Sequence, residues 1–463
     1  MRRFVALLIV ATLATAAMGL RAPNTPAGPD FDGPQAPDLG ASAGSTVWFC
    51  PWGETGSQAS STVQLMALVT ARAALSVPSP LPGEEPAQKT VSITDAGART
   101  LRLADVVLQG PAPASVEFQA GPATASATVQ GASSFAADRC IVATPAEWWL
   151  VGGTTRAGRE FSMRLFNPYP DTAFVSVTAV SEFGTFELPD LDTLPVAGRS
   201  WIDVDLTDLA GRLDDLVLKI VATEGNVIPS AILTAEGGAA VWPATGAATQ
   251  WFFPVASQEN LTAEVIIAAT GDGPVEVTVE ILTVDGISPD VRAFIVDPLN
   301  PRRESLADFS GEAIGIVVRG DSEIAAAVVA ESIPEVSALD GEGGSTDLSI
   351  DAVQGPLAGV AGTQEEATSW LVPGPASEET GLSTIWLMNS GTQSATVLLT
   401  PMGIRTGDQR KILLQAGTVQ RVAVPYDSAV AGWLVEATQP ITVGWSQQTE
   451  NGIAFIAGVA IDG

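Results

Sequence analysis

Leu165-Phe166-Asn167-Pro168, followed after a short turn by Ala173-Phe174-Val175-Ser176-Val177, places an apolar pair ahead of a run that alternates apolar and polar. A period of two over such a run marks a strand with one face turned inward. The frame returns as Leu387-Met388-Asn389-Ser390-Gly391 before Ala395-Thr396-Val397-Leu398, at the same spacing. Leu65-Met66 before Ala73-Ala74-Leu75-Ser76-Val77 also fits, and Val265-Ile266 before Val275-Glu276-Val277 fits more loosely. An aromatic landmark precedes each copy, at Trp48, Trp149, Trp251 and Trp370. A repeat of about a hundred residues is too long for a solenoid unit and suits one β-sandwich.

The second half of each repeat has a shared shape as well. Leu216 to Val221 leads through Glu224-Gly225-Asn226 into Val227-Ile228, and Ile314 to Val318 leads through Arg319-Gly320-Asp321 into Ile324. Trp433-Leu434-Val435 leads through Gln439-Pro440 into Ile441, and Val116-Glu117-Phe118 through Gly121-Pro122. These read as strand–turn–strand units, β-branched residues flanking turn formers. The fold class expected is therefore all-β: a tandem array of four antiparallel, Ig-like β-sandwich domains behind an N-terminal signal helix. Six to eight strands per period exceed the four of a propeller blade, which argues against a single β-propeller. Boundaries fall at 1–20 for a signal peptide or anchor and 21–44 for a linker. The four sandwiches span 45–142, 143–246, 247–364 and 365–463. Helix is sparse, with a turn or two expected over Leu206 to Asp215. Leu339 to Ser345 reads as an exposed acidic, glycine-rich loop.

Composition narrows the partners. The chain carries 22 basic and 52 acidic residues, a net charge of −30. Such a surface repels phosphate backbones and anionic headgroups, so nucleic acid is excluded as a partner, and a membrane contact is expected only through the N-terminal segment. Met1-Arg2-Arg3 followed by the apolar run Phe4 to Leu20, with Ala14-Thr15-Ala16 as a small-x-small site, reads as an export signal. If it is left uncleaved, residues 4–20 would anchor the chain. The expected location is secreted or extracytoplasmic. Two cysteines in an exported chain are most simply one disulfide, Cys50 to Cys140, stapling the ends of the first domain.

There is no histidine in 463 residues. That removes Ser-His-Asp and Cys-His catalysis and histidine-ligated zinc. A carboxylate pair of the glycosidase kind is the remaining hydrolytic scheme, and no acidic pair falls in a distinctive motif. Asp203-Val204-Asp205-Leu206-Thr207-Asp208 begins like a calcium loop. It fails at its sixth place, Asp208 instead of glycine, and at its twelfth, Asp214 instead of glutamate. No cofactor and no metal are expected. Arg319-Gly320-Asp321 is explained by a turn, and Asn260-Leu261-Thr262 is a sequon of low specificity. Trp48, Trp149, Trp251 and Trp370, with their aromatic neighbours, are the candidate contact positions, since exposed aromatics stack on sugar rings. Their recurrence at the head of every repeat favours packing instead.

Trp48-Phe49-Cys50-Pro51, Cys140 with Trp148-Trp149-Leu150-Val151-Gly152-Gly153 after it, and Leu165-Phe166-Asn167-Pro168 before Ala173 together carry a resemblance. The chain resembles a family of secreted proteins from GC-rich Gram-positive bacteria whose domain has no assigned function. The resemblance implies export and repeated sandwiches and supplies no activity. Ala67 and Ile267 stand where Asn167 and Asn389 would be, which marks the asparagine as a turn former. The function expected is a non-catalytic scaffold or interaction protein of the cell envelope, its partner a protein or glycan there. A carbohydrate-binding array is the alternative, and a carboxylate-based glycosidase the third reading.

Overall fold

The computed structural model describes residues 45–461, apart from 333–355, 375–381, 404–407, 425–429 and short breaks at 82–83, 95–96, 133, 143, 259, 287–289 and 299. The expected signal or anchor, the linker 21–44 and the loop Leu339 to Ser345 lie outside the described residues. Among the described residues, no helix is long and apolar enough to cross a membrane.

The second repeat shows the plan. Its first strand, Glu147–Gly153, pairs with the sixth, Leu216–Glu224, which pairs with the third, Ala173–Ser181, which pairs with the fourth, Gly184–Glu187. The other sheet runs fifth, second, seventh, eighth: Ser200–Asp205, Arg159–Asn167, Ile228–Ala235, Gly238–Pro243. All four repeats share this order. The second strand pairs with the fifth and the third with the sixth, while the first lies beside the sixth and the seventh beside the second.

The expected hairpins between sixth and seventh strands are corners instead. In the third and fourth repeats both strands belong to one long strand, Ile314–Ser332 and Val430–Thr449. The front half of Ile314–Ser332 pairs in one sheet and the rear half in the other. Arg319-Gly320-Asp321 lies at that passage, where a bend carries the chain from one sheet to its mate.

Leaving aside the short edge strands Glu54–Thr55, Gly110–Pro111, Leu194–Val196 and Val459–Ala460, each repeat has eight principal strands among the described residues, arranged in two four-stranded arrays that close around an axis in a propeller-like ring. The eighth strands, Phe135–Arg139, Gly238–Pro243, Leu357–Val360 and Gly452–Ala457, line the axis and touch in succession, the last returning to the first. The strand count that argued against a propeller fails because one period supplies two blades.

The apolar pairs explain the closure. A strand covered on both faces cannot alternate; it must be apolar on both. Leu65, Leu165 and Leu387 enter their own cores. Met66 instead joins Leu371 and Met402 of the fourth repeat, and Met388 joins the core of the third. In the third repeat the strand registers place Ile267 and Ala268, two residues beyond the expected Val265 and Ile266, opposite the equivalent partners. Ala268 accordingly packs into the core of the second repeat. Knob and hole match in size: Met388 sits over Gly315 and Met66 over Gly432, whereas small Ala268 shares its cluster with Val217.

A side chain at Gly432 would also meet the Val372 carbonyl at 2.8 Å. Gly432→Ala is therefore expected to cost about 1–3 kcal/mol. If the first and last repeats touch as described, combining it with Met66→Ala in urea titrations should cost less than the sum, by about 0.5 kcal/mol or more. Additive losses would contradict the contact.

Asn167 and Asn389 are turn formers, as expected. Asn167 donates to the Asp171 and Val196 carbonyls and accepts from the Tyr169 amide; Asn389 does the same with Gln393 and Gly391. By register the equivalent place in the third repeat is Ala269, not Ile267.

Polar clamps supplement the apolar interfaces. Arg164 bonds Asp203 at 2.6 and 2.8 Å while reaching the Gly53 carbonyl of the first repeat at 3.0 Å. Arg303 of the third repeat bonds Asp215, Glu264 and the Asp214 carbonyl, and Glu331 takes Arg156 and Arg159 at 3.2 and 2.8 Å. The calcium-like run is thus spent on structure. Asp203 holds Arg164, Asp205 caps the helix Leu206–Ala210, and Asp214 and Asp215 hold Arg303. Among the described residues no cluster of three metal-binding side chains occurs.

Candidate functional site

Where the first strands begin and the eighth strands end, the axis opens into a funnel of about 670 Å³. Trp48, Trp148 and Trp251 stand in its wall, with Arg139, Thr245 and Glu365 among its polar groups. The segment after each eighth strand crosses to its own first strand through a two-bond bridge, Phe49 with Ile141, Trp149 with Thr245 and Phe252 with Thr363. That crossing sets the rim.

Trp48, Trp148, Trp251 and Trp370 are equivalent, each opposite the sixth-strand residue that faces Leu75, Val177, Val279 or Leu399. The landmark of the second repeat is therefore Trp148, one residue before Trp149. All lie inside: Trp48 is 6% exposed, Trp148 2%, Trp251 1% and Trp370 0%. Trp149, also buried, donates to Glu147 and lies under the Lys219 ammonium, 5.3 Å from its ring centre. None of these rings lies flat to solvent as sugar stacking would need. The indole N–H of Trp251 bonds the Ile324 carbonyl and that of Trp370 the equivalent Ile441 carbonyl. The indole nitrogens of Trp48 and Trp148, both buried, have no partner among the described residues.

The same contact between first and eighth strands is made by different chemistry in three repeats. Cys50 and Cys140 form the expected disulfide, with Cα atoms 4.5 Å apart. At the equivalent places Phe253 lies against Gly362, and Val372 lies near Gly458. Only the first repeat uses a covalent bond there, because only it carries a cysteine on both sides of the contact.

Asp138 and Arg139 depart from the repeat most sharply. Their equivalents are Trp242-Pro243, Val360-Ala361 and Ile456-Ala457. Arg139, half-buried at the funnel, donates to the Gly458 carbonyl at 3.2 Å and the Gly362 carbonyl at 2.9 Å, tying the first repeat to the fourth and third. Asp138 is fully buried; one oxygen accepts from the Arg139 amide at 2.7 Å, and the other has no partner among the described residues. Burial pushes its carboxyl up to about 8, and the Arg139 charge offsets only part of that. Near neutral pH the acid is mainly protonated, so Asp138 does not neutralise Arg139. Neither residue belonged to a recognisable motif. The available signal was a charged pair inside an otherwise uncharged eighth strand.

These features define a class: a propeller-like ring of repeated sheets, built from one all-β unit used four times, with an axial funnel. The chain belongs to DUF5719, a family of unknown function, which matches over residues 104–425. No curated protein matches the chain. Among solved structures, the crystal structure of Thermotoga maritima 1070 is similar at 17% identity, covering 20% of this chain and 87% of that one with a TM-score of 0.18. A tetra-tandem repeat in the extending region of a large adhesion protein is similar at 13% identity, covering 84% and 92% with a TM-score of 0.11. Neither overlaps closely enough to carry an argument.

Proposed function

We propose that the protein is a non-catalytic, extracytoplasmic scaffold whose ring presents a fixed binding surface to a component of the cell envelope. The observation that carries the reading is the mutual burial of the four repeats, which share cores across every junction. Such sharing holds the funnel rim to one shape, which is what a binding platform requires. The buried Cys50–Cys140 disulfide supports an oxidising compartment. The apolar run Phe4 to Leu20 supports export as its route.

Two measurements test this. Purified chain incubated with polysaccharide, peptide and ester panels is expected to give no product above a heat-inactivated control. Crosslinking in intact cells is expected to join it to a discrete envelope component. Turnover that disappears on one carboxylate substitution would replace the scaffold reading with the glycosidase-like one. Glycan-array binding lost on substitution of a funnel tryptophan would favour the carbohydrate-binding alternative.

A further inference from the structure

We propose that the axial funnel is a binding site for a small zwitterion, a free α-amino acid with an apolar side chain, whose carboxylate meets Arg139 and whose ammonium meets Glu365. The inference goes beyond the scaffold reading and does not depend on it.

The repeat supplies an internal control. A group needed only to build a unit recurs in every unit, and the Asp138-Arg139 pair occurs in one. A guanidinium has five N–H donors. Two of those on Arg139 serve the Gly458 and Gly362 carbonyls, and among the described residues the other three have no hydrogen-bond acceptor. Since Arg139 lines the funnel, its unused fork matches a carboxylate entering there. Glu365, exposed on the same wall, is near enough for Arg139 to feel its charge, yet the two form no ion pair. A cation and an anion held apart in one cavity suit a ligand that carries both charges.

The remaining lining fits the body of such a ligand. Ile141, Val142 and Val459 supply apolar wall, and the unpartnered indole nitrogens of Trp48 and Trp148 belong to rings of the same wall. The volume is in the usual range for small-molecule sites. Net charge points the same way. A chain of −30 repels free anions at long range, whereas a zwitterion carries no net charge to be repelled.

The test is calorimetric titration of the full chain with L-leucine, L-phenylalanine, leucinamide and N-acetylleucine. Saturable binding is expected for the two amino acids. Leucinamide lacks the carboxylate and N-acetylleucine lacks the ammonium, and each should bind at least about tenfold more weakly. Glu365→Gln alters only an exposed side chain, so its melting temperature should match the parent while leucine affinity falls about tenfold. Arg139→Lys keeps the charge and loses the fork, and should weaken leucine similarly. Three outcomes would overturn the proposal: no binding at millimolar amino acid, leucinamide equal to leucine, or unchanged affinity in a folded Glu365→Gln chain. Each of them leaves Arg139 as a structural tie across the axis, and the scaffold reading stands or falls separately on its turnover and crosslinking tests.

Discussion

Replacing Cys50 and Cys140 together by alanine is expected to lower the unfolding free energy by about 4.6 kcal/mol. That is the loop-closure entropy returned to the unfolded chain when a loop of 90 residues is released. Few single features weigh as much against a typical total of about 5–15 kcal/mol. The bond sits where its loss has the widest effect. Cys50 ends the first strand, and Cys140 follows the eighth strand, which packs on the fourth repeat. Releasing it loosens the strand that closes the ring. Denaturant titration of the exported chain, oxidised and reduced, should show the same difference as the double variant. A midpoint unchanged by reduction, with thiol labelling confirming two free cysteines, would refute this role.

Asp138→Asn is expected to stabilise the protein in alkali. The folded state raises this carboxyl from 3.8 to about 8, so the native chain holds the proton more tightly than the unfolded chain does. The contribution of Asp138 is therefore fully present below about pH 4 and is lost as pH rises toward about 8, by about 1.4 kcal/mol per unit. Above that it levels off, the buried carboxylate then ionised beside Arg139. Asparagine cannot ionise and keeps an oxygen for the Arg139 amide. The variant should match the parent near pH 4 and exceed it by about 3–6 kcal/mol near pH 9. Thermal melts across that range decide it, and parallel curves for parent and variant would show that the carboxyl is not buried as described.

Much of the architecture was legible in the chain, and the parts that were not share a cause. The strand alternation Ala173 to Val177 and the disulfide followed from periodicity and cysteine arithmetic. Ring closure did not, although its evidence was present in Met66 and Met388. Each was read as half of a repeat marker, when an apolar residue on the outward face of a strand is a demand for a neighbour. The frame slipped by one residue at Trp148-Trp149, because two adjacent tryptophans match the landmark equally well. It slipped by two at Val265, because the third repeat is apolar from Val265 through Ala269 and offers no polar residue to fix the register. Only strand pairing resolves such ties. Corners were read as hairpins because glycine, proline and aspartate permit either path, and sheet exchange is a tertiary choice. The funnel was invisible because its polar groups, Arg139, Thr245 and Glu365, come from three repeats and converge only on closure.

The axial site exists only if the ring closes, and small-angle X-ray scattering measures that closure directly. A compact body of about 420 residues has a radius of gyration near 22 Å. Four sandwiches of about 105 residues strung end to end would give about 40 Å. For the full chain the ring predicts a value much nearer the first figure than the second, with a single-peaked distance distribution. A value near 40 Å, with a distribution stepping at the spacing of separate domains, would contradict the ring and with it the axial site.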